Sequence, residues 1–447
     1  MRRLSRVLSL VGAFVVVFGL SKVHAAWVAD PPYDFTGSFR FAWAVVYAAV
    51  LWIAGYGFGL PDLPRAPRAA AFAAAAASAA GAVLVSVIQL VMGDALLPRF
   101  VVFGAAFLLV PWQVAMNLLA RRGRSRGEDR DRVVLVGTDD ELERLRADLQ
   151  LIPERPAQLV AHLGIDEVTD ATTGTSRPLV ACVTGEQATL IVLDRSAQTD
   201  EAVVGEAAAL HESGIRVRTL VQFYEQWLGK LPLGELERAS LFFDIGEIHR
   251  ARYGRVKRLI DLSLGLVGLV PLLLAVPFVW TVNLVGNRGP LLYRQERVGR
   301  GGSTFEILKF RTMREAPAAG AGEGAAWTEV DDPRITTFGR VLRTSHLDEL
   351  PQMVNIVRGQ LSVVGPRPEQ PHYVRQLSAS LPFYGMRHLV RPGLTGWAQV
   401  KYGYAGDERD ALEKLQYEFF YLRHQGLRFD ARIIGRTVRS VLGSEGR

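Results

Sequence analysis

Two adjacent carboxylates, Asp348 and Glu349, lie in the string Leu347-Asp348-Glu349-Leu350-Pro351-Gln352, and cations crowd the sequence around them. Adjacent side chains on a helix point about 100° apart. Such a pair is poorly placed to share one proton, but it can divide labour: one carboxylate attacks an electrophile while the other holds a metal ion. Alone, an Asp-Glu pair is ordinarily a solvated helix face. Its company changes the reading. Arg343 precedes it. Lys309 and Arg311 alternate with apolar residues in Phe305–Met313, as on one face of a strand pair. Arg367 sits between Pro366 and Pro368, and Arg391 precedes Pro392-Gly393. Proline fixes the backbone, so a neighbouring guanidinium is aimed at small entropic cost. Arginine, with its planar fork, is the usual partner of phosphate. Together these are the parts that phosphoryl transfer needs.

Several elements must position them. Lys257, Arg258 and Asp261 open an apolar stretch with no further charge until Arg288, long enough to cross a bilayer, which takes ~20 residues. Pro271 and Pro277 interrupt it, and both flanks are basic. A re-entrant helix over about 256–286, broken at one of these prolines, keeps both flanks on one side; an ordinary span is the alternative. Ala316–Ala326, small and glycine-rich, reads as a mobile loop. In Asp430–Leu442, Arg432, Arg436 and Arg439 recur at helical spacing beside Ile433, Ile434, Val438 and Val441. That pattern suits a helix lying on an anionic membrane or a solvated surface helix.

The first 125 residues hold four apolar stretches, Val7–Ser21, Phe41–Leu60, Ala69–Gly93 and Phe100–Leu119. Arg2, Arg3 and Arg6 precede the first, Arg65 and Arg68 follow the second, and Arg121, Arg122, Arg124 and Arg126 follow the fourth. Four spans with both ends cytoplasmic satisfy this distribution. A cleaved signal peptide is the alternative for the first. These helices carry no internal charge and read as an anchor.

Residues 126–250 alternate strand and helix: a strand at Arg132–Gly137, a helix at Asp139–Leu149, strands at Leu159–Leu163 and Thr189–Asp194, a helix at Glu201–Ser213, and a strand at Ile215–Thr219. The alternation predicts a Rossmann-like α/β domain with a parallel sheet. Its first turn, Gly137-Thr138-Asp139-Asp140, has one glycine and two acids. A dinucleotide site needs three glycines, so a structural or regulatory domain is expected.

Composition agrees with a membrane protein acting on anions. Of 447 residues 49% are hydrophobic and 22% charged, and mean hydropathy is +0.14. The net charge of +7 suits anionic lipid or a phosphorylated substrate. One cysteine, Cys182, excludes an internal disulfide framework and a zinc cluster built on several thiolates.

The strings Lys257-Arg258…Asp261, Arg297-Val-Gly299, Lys309-Phe-Arg-Thr-Met313, Leu347–Gln352, Val364-Gly-Pro-Arg-Pro368 and Arg391–Val400 occur in this order in the bacterial sugar transferase family. Residues 256–447 resemble that family, the polyprenyl-phosphate hexose-1-phosphate transferases with a re-entrant membrane helix. The whole chain resembles its large members, of the exopolysaccharide or capsule type. The resemblance implies an α+β monotopic catalytic domain over 251–447 behind an α-helical membrane bundle. It implies Asp348 as nucleophile, Glu349 as ligand of Mg2+, and Lys309, Arg311, Arg343 and Arg367 as holders of the diphosphate or prenyl phosphate. Arg391 joins them as a phosphate-binding candidate. The implied partners are a nucleotide diphosphate sugar, polyprenyl phosphate and membrane lipids, not nucleic acid, with a homodimer left open. One departure is Gln360-Leu361, where the family commonly has an acid and a methionine. Two rivals are a membrane-anchored nucleotide-sugar dehydratase or epimerase, which lacks its glycine-rich turn, and a non-catalytic scaffold of polysaccharide export, which has no use for these cations.

Overall fold

The structure, a computed structural model, describes residues 2–61, 67–92, 95–121, 131–151, 157–172, 177–232, 248–286, 289–314, 332, 334–381, 383–402 and 408–442. Ala316–Ala326, Arg65 and Arg288 lie outside these residues. The chain forms two compact units: residues 1–123 together with 247–447, and residues 124–246.

Among the described residues, five helices are long and apolar enough to cross a membrane. Four form a bundle: α1 (Arg2–Val23), α2 (Phe39–Gly57), α3 (Pro67–Met92) and α4 (Arg99–Arg121). Where lipid is as apolar as the side chains, small residues and buried hydrogen bonds must hold helices together. Both devices are present. Gly12 lies against Trp112, whose indole donates to the Leu8 carbonyl at 3.2 Å. Gly81 lies against Leu51. The Ser9 hydroxyl donates to Gln113 at 3.2 Å, and Tyr47 donates to the Val102 carbonyl at 2.7 Å. The first apolar segment is thus an integral part of the bundle.

The second unit is built on a parallel four-stranded sheet of order β2-β1-β3-β4. Its strands are β1 (Asp131–Val136), β2 (Ala157–Leu163), β3 (Leu190–Leu193) and β4 (Arg216–Thr219). β1 and β3 read as continuous apolar runs because both faces are covered. Val133, Leu135, Leu190 and Val192 meet α5 (Asp139–Leu151) and α9 (Leu220–Phe223). Val134, Val136, Ile191 and Leu193 meet α6 (Ile165–Thr172), α7 (Pro178–Gly185) and α8 (Glu201–Glu212).

The C-terminal module of the first unit begins with α10 (Ile248–Gly286), 39 residues long. This corrects one expectation: the helix does not break at Pro271 or Pro277, both of which lie inside it. Each proline removes one backbone hydrogen bond, and helical residues on either side carry the chain through. An antiparallel hairpin follows, β5 (Leu292–Val298) and β6 (Thr304–Phe310), then α11 (Thr337–Thr344), α12 (Gln352–Arg358) and β7 (Ser362–Val364). The rest is α13 (Pro371–Ser380), β8 (Gly393–Thr395), α14 (Trp397–Lys401), α15 (Glu408–His424) and α16 (Leu427–Leu442).

The reading of α16 is also corrected. Ile433, Ile434 and Val438 of its apolar side pack against protein. Ile433 is fully buried against Trp397 and Tyr421, and Val438 packs beside Phe58 and Ala73 of the bundle. Arg432 donates to the Tyr56 hydroxyl at 3.0 Å, and Arg436 lies 5.0 Å over the Trp397 ring. Amphipathic periodicity marks a helix with one apolar side, but not what covers that side.

The α2–α16 seam closes at Gly57 and Gly435, where a Cβ on either would strike the backbone of the other helix. Gly435→Leu should therefore separate the helices, at a cost of about 1–3 kcal/mol or more, as overpacking does. A melting temperature of the full-length protein that matches wild type would show that the helices do not dock.

Candidate active site

The carboxylate pair sits on a tight turn rather than an α-helix. After α11 the chain reverses at His346, whose φ of 55° is left-handed. That conformation costs a non-glycine residue ~1 kcal/mol and concentrates at functional sites. Leu347–Glu349 then form one 3-10 turn. With about three residues per turn, Asp348 and Glu349 point roughly 120° apart, a wider divergence than the α-helical expectation.

Lys309, near the end of β6, donates to Glu349 Oε1 at 2.6 Å. The Arg367 guanidinium stands 3.9 Å from the same oxygen. Asn355 fixes the register that brings Lys309 here. It is fully buried, its carbonyl accepts from the Leu308 amide at 3.0 Å, and its amide donates to the Glu306 carbonyl at 2.7 Å. The same amide donates to Gln360 Oε1 at 2.8 Å, so the residue at this departure from the family pattern has a structural partner.

The two carboxylates are electrostatically unlike. Burial pushes the Asp348 carboxyl above its usual range; Glu349 adds to the rise, while Lys309 and Arg343 pull against it. Burial also works upward on Glu349, but Lys309 and Arg367 overcome it and hold Glu349 down at about 2. One group is thus a buried, destabilised carboxylate, and the other is a permanent anion. A destabilised carboxylate beside aimed cations is a competent nucleophile toward phosphorus.

The remaining predicted residues divide. Arg343 lies beside Asp348, with Nε on Thr312 Oγ1 at 3.0 Å and Nη2 on Met313 Sδ at 3.1 Å. Arg311 lies past the end of β6 and donates from Nε to the Met313 carbonyl at 3.0 Å. Arg391 stands elsewhere: Nε donates to the Gly359 carbonyl at 2.9 Å, and its charged neighbours are Arg300, Arg258 and Asp261. The Arg-Pro-Gly string aims it at the end of α12 rather than at Asp348.

Sequence reasoning missed the pins that hold α10 to the module. Asp430 accepts from Tyr253 and Lys257 at 2.7 Å each and from Tyr421 at 3.0 Å. Arg258 donates to the Ile356 and Val357 carbonyls at 2.6 and 2.7 Å. Asp261 accepts from the Ser362 hydroxyl and the Val363 amide at 3.0 Å. It also missed the buried pair Arg387–Glu418; neither residue falls in a recognisable string.

In the second unit, the turn after β1 is occupied from within. Asp194 Oδ2 accepts from the Thr138 amide at 2.9 Å, and its Oδ1 accepts from the Ala197 amide at 2.7 Å. A Cβ at Gly137 would collide with this carboxylate, so the glycine accommodates Asp194.

Residues 252–444 match the bacterial sugar transferase family. A sugar transferase of Bacillus subtilis is 34% identical over 198 residues, which cover 43% of this chain and 89% of that one. The chain therefore belongs to the bacterial sugar transferase family. A UDP-N-acetylgalactosamine-undecaprenyl-phosphate N-acetylgalactosaminephosphotransferase of Aeromonas hydrophila is 38% identical over 197 residues, 43% of this chain and 45% of that one. A UDP-glucose:undecaprenyl-phosphate glucose-1-phosphate transferase of Xanthomonas campestris is 40% identical over 185 residues, 41% of this chain and 37% of that one. The match thus spans less than half the length of these two relatives.

Removing Lys309 takes away the largest force holding Glu349 ionised and leaves burial opposed by Arg367 and, more weakly, His346. In Lys309→Met, isotope-edited infrared titration should find the Glu349 carboxylate protonating well above about 2. An unshifted titration would contradict the pairing.

Proposed function

We propose that this protein transfers a hexose-1-phosphate from a nucleotide diphosphate sugar, a UDP-sugar by the names of its relatives, to polyprenyl (undecaprenyl) phosphate. The observation that carries the reading is the buried Asp348 carboxylate set between Lys309, Arg343 and the Glu349–Arg367 pair. An Asp348 oxygen attacks the sugar-linked phosphorus. The phosphoanhydride P–O bond breaks, and nucleoside monophosphate leaves with the electron pair. A phosphosugar-aspartate remains. An oxygen of the prenyl phosphate then attacks the same phosphorus and releases the Asp348 carboxylate, giving prenyl-diphosphate-sugar. The covalent step divides one difficult displacement into two. Lys309, Arg343 and Arg367 neutralise charge on the phosphoryl oxygens.

Mg2+ fits the donor set. It takes one or two carboxylates and completes its shell with phosphate oxygens and water, so no cage of protein ligands is needed. Among the described residues both cations that pair with Glu349 approach Oε1, which leaves Oε2 for the metal. When bound, Mg2+ would neutralise diphosphate charge and polarise the phosphoryl group.

The reading extends to placement. α10 touches the same module along its length, from Tyr253 and Lys257 on Asp430, through Leu272 and Val279 against Phe310 and Leu342, to Asn283 on the Gly289 carbonyl. Its other face presents Leu259, Leu266, Leu273, Leu274 and Phe278 to the surroundings. A helix that crossed the bilayer would carry one end away from that charged module. We therefore favour a monotopic course in which α10, unbroken at its prolines, stays against the module, with both flanks and Asp348 on the cytoplasmic side, where nucleotide sugars are made. The product would enter exopolysaccharide or another glycoconjugate. The second unit we take as a Rossmann-like structural or regulatory domain, because Asp194 occupies the Thr138 amide that a pyrophosphate would use.

Three outcomes test this. Asp348→Asn should lower UMP release from a UDP-sugar by several orders of magnitude while the protein still folds, and no radiolabelled phosphosugar should be trapped on it. Retention of activity within about tenfold would exclude Asp348 as nucleophile. EDTA in excess should stop turnover, as should Glu349→Gln at ordinary Mg2+; full activity in EDTA would remove the metal. Because burial raises the Asp348 carboxyl and only its ionised form attacks, activity should fall as pH drops through a value above the ordinary aspartate range. An acid limb at or below that range would contradict the assignment.

A further inference from the structure

Pro366, Arg367, Pro368 and Glu369 form the loop that delivers Arg367 to Glu349. Their four successive carbonyls all accept hydrogen bonds. The Gly393 amide donates to Pro366 at 2.8 Å, Arg387 Nη2 to Arg367 at 2.8 Å, Arg297 Nη1 to Pro368 at 3.0 Å, and the Val298 amide to Glu369 at 2.9 Å. Two of the four donors are arginine side chains. The one on Arg367 is fixed in turn: Arg387 Nε and Nη2 meet Glu418 Oε2 and Oε1 at 2.8 and 2.7 Å, and Nη1 donates to the Tyr384 hydroxyl at 2.6 Å. Arg387 and Glu418 are each only 4% exposed.

A pair buried this deeply is a poor stabiliser. Desolvating two charges costs several kcal/mol, and apolar residues of similar volume often do as well. What the pair supplies is direction. The fork of Arg387 is planar and bidentate, so Glu418 fixes its orientation and leaves one N–H aimed at a single carbonyl. That carbonyl belongs to the residue whose side chain reaches the carboxylate pair. An incoming diphosphate would attract Arg367 strongly, and an unanchored loop would follow the substrate instead of orienting it.

We propose that Arg387 and Glu418 are positioning residues: they lock the Arg367–Pro368 peptide so that the Arg367 guanidinium stands ready for the phosphoryl group of the donor. Neither touches substrate. The inference rests on the reaction proposed above, in which Arg367 bears on phosphate.

The experiment uses the full-length protein in detergent with four variants: Glu418→Gln, the double variant Arg387→Met/Glu418→Leu, Arg367→Ala, and the triple combination. The double variant replaces the pair by apolar residues, so its melting temperature should stay near wild type. Its kcat should nevertheless fall about 100-fold, the usual effect of a displacement near 1 Å at a reacting centre. Its affinity for inorganic pyrophosphate should fall as well. In the Arg367→Ala background the same two changes should cost nothing further, because the group they position is gone. Wild-type kcat in the double variant, or losses that multiply with Arg367→Ala, would overturn the proposal. Should the double variant not fold, Glu418→Gln, which keeps the shape, is judged by the same two criteria. If the wild type turns over no nucleotide sugar, the reaction fails, and the pyrophosphate affinities alone decide for or against the clamp.

Discussion

The polar pins between α10 and the C-terminal module are the constraint from which the rest of the structure follows. A helix with an exposed apolar face and a cluster of charged side chains want different surroundings. Here they are joined by polar groups that are hydrogen-bonded across the seam. Asp430 gathers two tyrosines and Lys257, Arg258 closes the carbonyl end of α12, and Asp261 takes the start of β7. Because α12 directly follows the Leu347–Glu349 turn, fixing its far end to α10 fixes the height of Asp348 relative to the apolar face.

Within the site the deciding balance is burial against cations. Burial alone would raise both carboxylates. Of the two carboxylates Lys309 hydrogen-bonds Glu349, and Arg367 adds to its pull, so the neighbours part: one stays an anion at any physiological pH, and the other becomes costly to ionise. In the reaction proposed above, a costly anion gives more back when it forms a bond to phosphorus. The same cation that steadies Glu349 moderates Asp348 through space, so one lysine sets both.

Legibility in the sequence followed the range of the interaction. The four bundle helices and the strands of the second unit could be read because their signals repeat within each segment: a sustained apolar run, or a buried strand followed by a turn. Asp348, Glu349, Lys309, Arg343 and Arg367 could be read because fixed strings mark them, and the fold gathers them. Arg391 carries a similar string yet serves α12, since a string fixes the local backbone and not the distant target of a long side chain. The prolines of α10 looked like breaks because their local cost is certain, whereas the packing of Leu272 and Val279 that sustains the helix is not local. The Arg387–Glu418 pair had no signal: it joins positions 31 residues apart, and nothing near either residue specifies the other.

The glycine contact between α2 and α16 bears on how such a chain could be rebuilt. A membrane anchor is commonly treated as exchangeable cargo, so that any helices of suitable length hold an enzyme at its bilayer. Here α2 offers a shape and a hydroxyl that α16 requires: the bare backbone at Gly57 and the phenol of Tyr56. A chimera that grafts the C-terminal module onto foreign helices would leave Val438 and the Gly435 notch without their counterparts. The natural place to cut and splice is therefore inside the module's own partner list, with α2 and α3 carried along.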